Sequence, residues 1–135
     1  HYFNPNFEFV PICLMGRDLS FCEDIGLSIA RSIRDYAKPT LIVASSDMTH
    51  YEPHQEAKRK DKMAIDRVIA LDPKGLLETV NRYNISMCGV IPATTMLIAC
   101  KELGAKKANL IDYATSGEVS GDYDQVVGYA GIVIQ

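Results

Sequence analysis

Along this chain the apolar positions change period several times, and each change marks a predicted element. Phe7-Glu8-Phe9-Val10-Pro11-Ile12-Cys13-Leu14 is dense in aromatic and branched residues and predicts a strand. Pro11 places that strand at an edge or an irregularity. After Gly16, Ser20 is one candidate N-cap, and Glu23 three residues on completes a capping-box pattern. Ile25, Ile29, Ile33 and Tyr36, joined by Ala30 and Ala37, recur at three- or four-residue spacing. They predict an amphipathic helix that Lys38-Pro39 ends. Thr40-Leu41-Ile42-Val43-Ala44-Ser45-Ser46 is near-continuously apolar and branched, the pattern of a strand buried on both faces.

Residues 47–53 form the loop after that strand, and a helical period restarts from Glu56 to Ile69 through Ala57, Met63, Ala64 and Val68. Asp72 as N-cap and Pro73 in the first position open another helix, with Leu76, Leu77 and Val80 inward and an end near Tyr83-Asn84. A further helix begins around Pro92 and runs through Met96, Leu97 and Ala99 to Gly104. Asn109 to Ala114 predicts a strand, Ser116 to Asp124 a Gly-, Ser- and Asp-rich loop, and Gln125 to Ile134 a last strand. The order β-α-β-α-α-α-β-β predicts an α/β fold: a mixed sheet flanked by helices and closing in two successive strands that suit a hairpin.

Composition changes this picture little. The 135 residues suit a single domain over 1–135, and 47% hydrophobic with 23% charged content is globular. A net charge of −3 argues against a nucleic-acid backbone as partner. No apolar run approaches the ~20 residues that cross a bilayer, so no membrane role is expected. Cys13, Cys22, Cys88 and Cys100 form no C-x-x-C pair, which predicts reduced thiols and a cytoplasmic location. Cys13 and Cys100 sit in apolar runs and are expected to be buried. His1-Tyr2-Phe3 opens without an initiator methionine or a signal peptide, which predicts either a deliberately shortened chain or a missing upstream portion.

Two places carry candidate chemistry. Ser45-Ser46-Asp47-Met48-Thr49-His50-Tyr51 follows the predicted buried strand, where open α/β sheets put their ligands. Asp47 and His50 are three apart and can face one point as a metal-ligand or acid/base pair. The plainer alternative is that Asp47 caps the turn and His50 lies on its rim. Cys88, in Ser86-Met87-Cys88-Gly89 ahead of a helix start, is the second candidate, because backbone N–H groups there favour an anionic sulfur. Its alternative is a buried structural cysteine. Glu52 and His54 are read as solvated loop residues. Neither a glycine-rich phosphate loop nor a G-x-S-x-G elbow occurs.

Four stretches in order, V-P-I-C-L-M-G, V-A-S-S-D-M-T-H-Y, L-D-P-K-G-L-L with M-C-G-V-I-P-A, and Y-A-T-S-G with V-V-G-Y-A-G-I-V-I, resemble the C-terminal half of the Memo-like family. In bacteria and archaea that family is the Memo member of the AMMECR–Memo–radical SAM gene set. In animals it corresponds to a mediator of receptor-kinase-driven cell motility. The resemblance implies a fold like that of extradiol non-haem-iron dioxygenases, truncated here at the N-terminus. It also implies a pocket in which histidines of the N-terminal half join the Asp and His of S-S-D-x-x-H and the Cys of C-G-x-x-P, here Asp47, His50 and Cys88. Where some relatives have a histidine in C-G-x-H-P, this chain has Ile91.

The function so implied is a metal-site protein binding iron or copper, with zinc less favoured and no organic cofactor. If it is an enzyme, it is a metal-dependent oxidoreductase of the extradiol-dioxygenase type. His50 and Cys88 would ligate, while Asp47 would ligate or orient His50. Two alternatives stand beside it. One is a non-enzymatic scaffold using the pocket for a phosphopeptide, small molecule or small anion. The other is a cysteine-dependent hydrolase with Cys88 as nucleophile and His50 as base. An exposed sheet edge left by the missing strands is expected to favour homo-oligomers.

Overall fold

A computed structural model describes residues 5–16 and 18–135; His1 to Phe3, read above as an abrupt start, lie outside the described residues. The elements are α1 (Leu19–Tyr36), β1 (His50–Glu52), α2 (His54–Ile69), α3 (Pro73–Arg82), α4 (Val90–Glu102), β2 (Ala108–Thr115), α5 (Gly117–Ser120) and β3 (Val126–Ile134). The fold is α/β, but its sheet is not mixed. Its three described strands run in the order β1-β3-β2, and both pairs are antiparallel. The closing strands pair as expected, from Ala108↔Ile134 to Thr115↔Gly128.

The two predicted N-terminal strands are corrected. Residues 7–16 and 40–46 carry no regular secondary structure and form no ladder with any described segment. Val10, Leu41 and Val43 are largely exposed rather than enclosed. The physical reason is that branched residues favour extended backbone locally, while a strand also needs a neighbour for its N–H and C=O groups. Cys13 lies in the first of these segments and is therefore exposed, against expectation, while Cys100 is half-buried.

Two of the described helices, α1 and α3, start at a side-chain cap. Asp18, not Ser20, caps α1 by accepting from Phe21 N at 2.9 Å, and Ser20 Oγ donates to the same carboxyl. Those two hydrogen bonds hold the Asp18 carboxyl below its ordinary value. Asp72 caps α3 from the predicted position, with its side chain accepting from Gly75 N at 2.8 Å.

The buried stripe of α1 is Cys22, Gly26 and Ala30, four apart and small, rather than the isoleucines beside them. Small residues let α1 lie close on α4, whose Ala93, Thr94, Thr95, Leu97 and Ala99 are buried. Arg34 Nη1 and Glu102 Oε1, 2.8 Å apart, join the far ends of the two helices. On the other side α3 packs on α4, and α2 packs between α3 and the sheet. The core gathers Met48, Ile65, Val68, Leu76, Val80 and Leu97 among others. Burial also pushes the Cys22 and Cys100 thiols above their ordinary values.

Candidate functional site

Asp47, His50 and Cys88 come together, although Cys88 lies 41 residues beyond Asp47. One ligand atom from each lies within 4.8 Å of the others. Asp47 lies in the irregular segment ahead of β1, His50 opens β1, and Cys88 precedes Gly89, the N-cap residue of α4. An ion sits ~2.0–2.3 Å from nitrogen, oxygen or sulfur donors, so such donors are at most roughly 4.6 Å apart. A few tenths of an ångström of closure meets that limit.

The turn carrying Asp47 and His50 is held residue by residue. Asp47 N donates to Cys88 Sγ at 3.2 Å, Met48 N to Gly128 O at 2.9 Å, Thr49 N to Asp61 Oδ1 at 2.8 Å and His50 N to Ser86 Oγ at 2.7 Å. Each of the four successive amides therefore has a partner, and the partners come from three places in the chain: the 86–88 loop, α2 and β3. Among the described residues no backbone N–H donates to the Asp47 carboxyl, and its Oδ2 faces His50 Nε2 at 3.5 Å, the pairing that the plainer alternative also expects.

His50 Nδ1 lies 2.7 Å from the Ser86 carbonyl oxygen. A carbonyl only accepts, so Nδ1 carries a proton, and Nε2 is the ring nitrogen turned to Asp47 and the cluster. Metal-bound imidazoles are oriented by the same kind of contact. Imidazole nitrogen, carboxylate oxygen and sulfur together suit a borderline transition metal better than calcium or magnesium. Cys88 is exposed and Asp47 and His50 half-buried, so the cluster opens to the surface. Neither of two surface concavities, about 840 Å³ along α3 and about 320 Å³ beside Ser46, is lined by the three residues.

Gly89 sets how closely the two loops approach. Its N–H donates to Ser46 Oγ at 2.9 Å, and a Cβ there would stand 2.5 Å from both Ser45 O and Ser46 Cβ. Backbone cannot yield as a side-chain tip can. Gly89→Ala is therefore expected to lower stability by about 1–3 kcal/mol and to move Cys88 away from Asp47. Urea unfolding and the Asp47 amide resonance would register the two effects; a parent-like spectrum would mean the loops do not need this approach.

Several contributors were not singled out in the sequence. Ser46, Ser86 and Asp61 each hold the cluster by a hydrogen bond, and only Asp61 left a signal. It falls four residues after Ala57 and three before Ala64, on the buried face of α2. Glu52 and His54 are half-buried rather than solvated. Glu52 Oε1 pairs with Lys60 Nζ at 2.5 Å, and His54 Nδ1 lies 2.9 Å from Thr115 Oγ1. Tyr51, between His50 and Glu52, has a left-handed φ of 57° at a register shift between β1 and β3. It leaves 74% of its surface exposed beside the cluster. No described helix is long and apolar enough to cross a membrane.

A family model described as Memo-like protein matches residues 1–133. The chain is 46% identical over 135 residues to a MEMO1 family protein of Methanopyrus kandleri, covering 100% of this chain and 48% of that protein. It is 45% identical over 129 residues to one of Methanocaldococcus jannaschii, covering 96% and 45%. For one of Pyrobaculum aerophilum the figures are 40% over 132 residues, covering 98% and 47%. The chain thus spans about half the length of the curated relatives it matches.

Proposed function

This chain belongs to the Memo-like family, and from that premise we propose that Asp47, His50 and Cys88 are ligands of a transition-metal ion, iron or copper. The observation that carries the reading is the convergence of three chemically different donors within 4.8 Å, from two segments joined by hydrogen bonds from the amides of one to side chains of the other. Three protein donors leave coordination positions open, the arrangement of sites that bind a substrate or water. Bound iron or copper would supply one-electron and oxygen chemistry there. This chain's residues would orient the ion. Ser86 O fixes the His50 tautomer, and Asp47 N keeps Cys88 Sγ directed at the turn. In the whole protein, histidines from the other half would complete the ligand set, as the family resemblance implies.

The nucleophile reading has less support. Cys88 Sγ accepts from Asp47 N, whereas the hydrogen bonds of His50 run to Ser86. A cysteine and its base need a mutual hydrogen bond, and none joins these two among the described residues. The binding-only alternative uses the same surface without needing His50 or Cys88, so one experiment separates it. The purified chain is incubated anaerobically with ferrous iron or with copper, desalted, and analysed for metal beside a His50→Ala/Cys88→Ala variant. Near-stoichiometric metal in the parent and none in the variant is expected. Equal content in both, or none in either, would sink the reading for this chain.

A further inference from the structure

Asp61 is the one charged side chain among the fully enclosed residues described, with no exposed surface at all. No lysine, arginine or histidine pairs with it among the described residues. Its two oxygens are instead divided between two donors. Oδ1 accepts from Thr49 N at 2.8 Å, and Oδ2 accepts from the Tyr113 hydroxyl at 2.7 Å. A buried carboxyl is costly to place in a core without full hydrogen bonding, so its place on the apolar face of α2 calls for a specific role.

The geometry points to Asp61 as the positioning residue of the ligand turn, with Tyr113 orienting it. Thr49 lies between Asp47 and His50, so the Asp61–Thr49 bond fixes the peptide that sets the spacing of two proposed ligands. Two of the remaining anchors come from β3. Met48 N donates to Gly128 O, and Gly128 N donates to Thr49 O, each at 2.9 Å. Gly128 has no side chain, and a Cβ there would run into Asp61 Oδ2. Asp61 therefore reaches the turn through space that a larger residue would close. Tyr113 fits the same account, since burial first and Asp61 second push its hydroxyl far above the ordinary value and keep it a donor. The turn is thus clamped between α2 and β3, and Asp61 supplies the only side chain of α2 that bonds to it among the described residues.

This inference rests on the ligand reading above only for its metal arm, and the test separates the two. Asp61→Leu keeps the branched shape and removes both acceptors; Asp61→Asn keeps an acceptor for Thr49 N. Amide hydrogen exchange is followed in the metal-free protein, and Co(II) affinity by absorbance in folded samples. In Asp61→Leu the Thr49 and His50 amides should exchange about 10-fold faster or more. Co(II) affinity should fall about 10–100-fold, as for partners that orient ligands. Asp61→Asn should recover most of both. Parent-like exchange at residues 47–50 in folded Asp61→Leu would overturn the inference. A uniform rise across α1 to α4 would do so too, because it reports general loss of stability. If the parent takes up no Co(II), the ligand reading falls while the exchange arm still decides this one. If Asp61→Leu fails to fold, Tyr113→Phe decides: faster exchange at Thr49 supports the clamp, and unchanged exchange refutes it.

Discussion

Cys88→Ala is expected to weaken Co(II) binding by more than 100-fold and to remove the sulfur-to-metal charge-transfer band from the spectrum. Loss of a group that only orients a ligand already costs roughly 10–100-fold, and Cys88 is proposed as a ligand itself. It is also the only soft donor of the three, so its removal leaves one imidazole and one carboxylate, a set that surface residues often offer without holding an ion. A second loss compounds the first. Asp47 N donates to Cys88 Sγ, and without the sulfur that amide has no partner and the Asp47 carboxylate is less well aimed. Cys13→Ala is the control, because Cys13 is an exposed thiol in the irregular segment ahead of α1. It should bind Co(II) as the parent does. If Cys88→Ala binds as tightly as Cys13→Ala, the sulfur is not a ligand.

The site was more legible in the sequence than the sheet was. Asp47, His50 and Cys88 stand in short motifs whose chemistry survives any uncertainty about neighbours, and the structure brings their ligand atoms together. Strand prediction has no such independence. The run from Thr40 to Ser46 has the residues of an enclosed strand, yet enclosure depends on what lies alongside, and no described segment pairs with it. β1 failed in the opposite sense. It has three residues and a left-handed Tyr51, too short and irregular to leave a period. Helices fared better because their starts are local: Asp72-Pro73 carries its own cap. Even there α1 was capped by Asp18 rather than Ser20, since both residues suit the place and only the backbone decides. Asp61 was invisible as a contact because its partners, Thr49 and Tyr113, lie 12 and 52 residues away.

That difference between enclosed and merely apolar leucines makes the largest stability effect predictable. Leu97→Ala should destabilise the protein by about 2–5 kcal/mol, while Leu41→Ala should stay within about 0.5 kcal/mol. The sequence places both leucines inside. Leu97 is fully buried in the middle of α4, among Leu76, Val80, Ala93 and Met87 of the core, so truncation removes packed atoms and leaves a cavity that rigid helices on both sides cannot collapse. Leu41 is 85% exposed, and shortening it leaves water where water already was. Urea unfolding of the two variants beside the parent reads this directly, as a midpoint shift at unchanged slope. The Leu97 change also reaches the site, because α4 begins directly after Cys88-Gly89 and loosening the helix frees the loop that holds the sulfur. Equal losses at the two positions would mean that Thr40–Ser46 is enclosed in solution after all, covered by a neighbouring strand or by a second molecule, and dilution of the sample would tell those two cases apart.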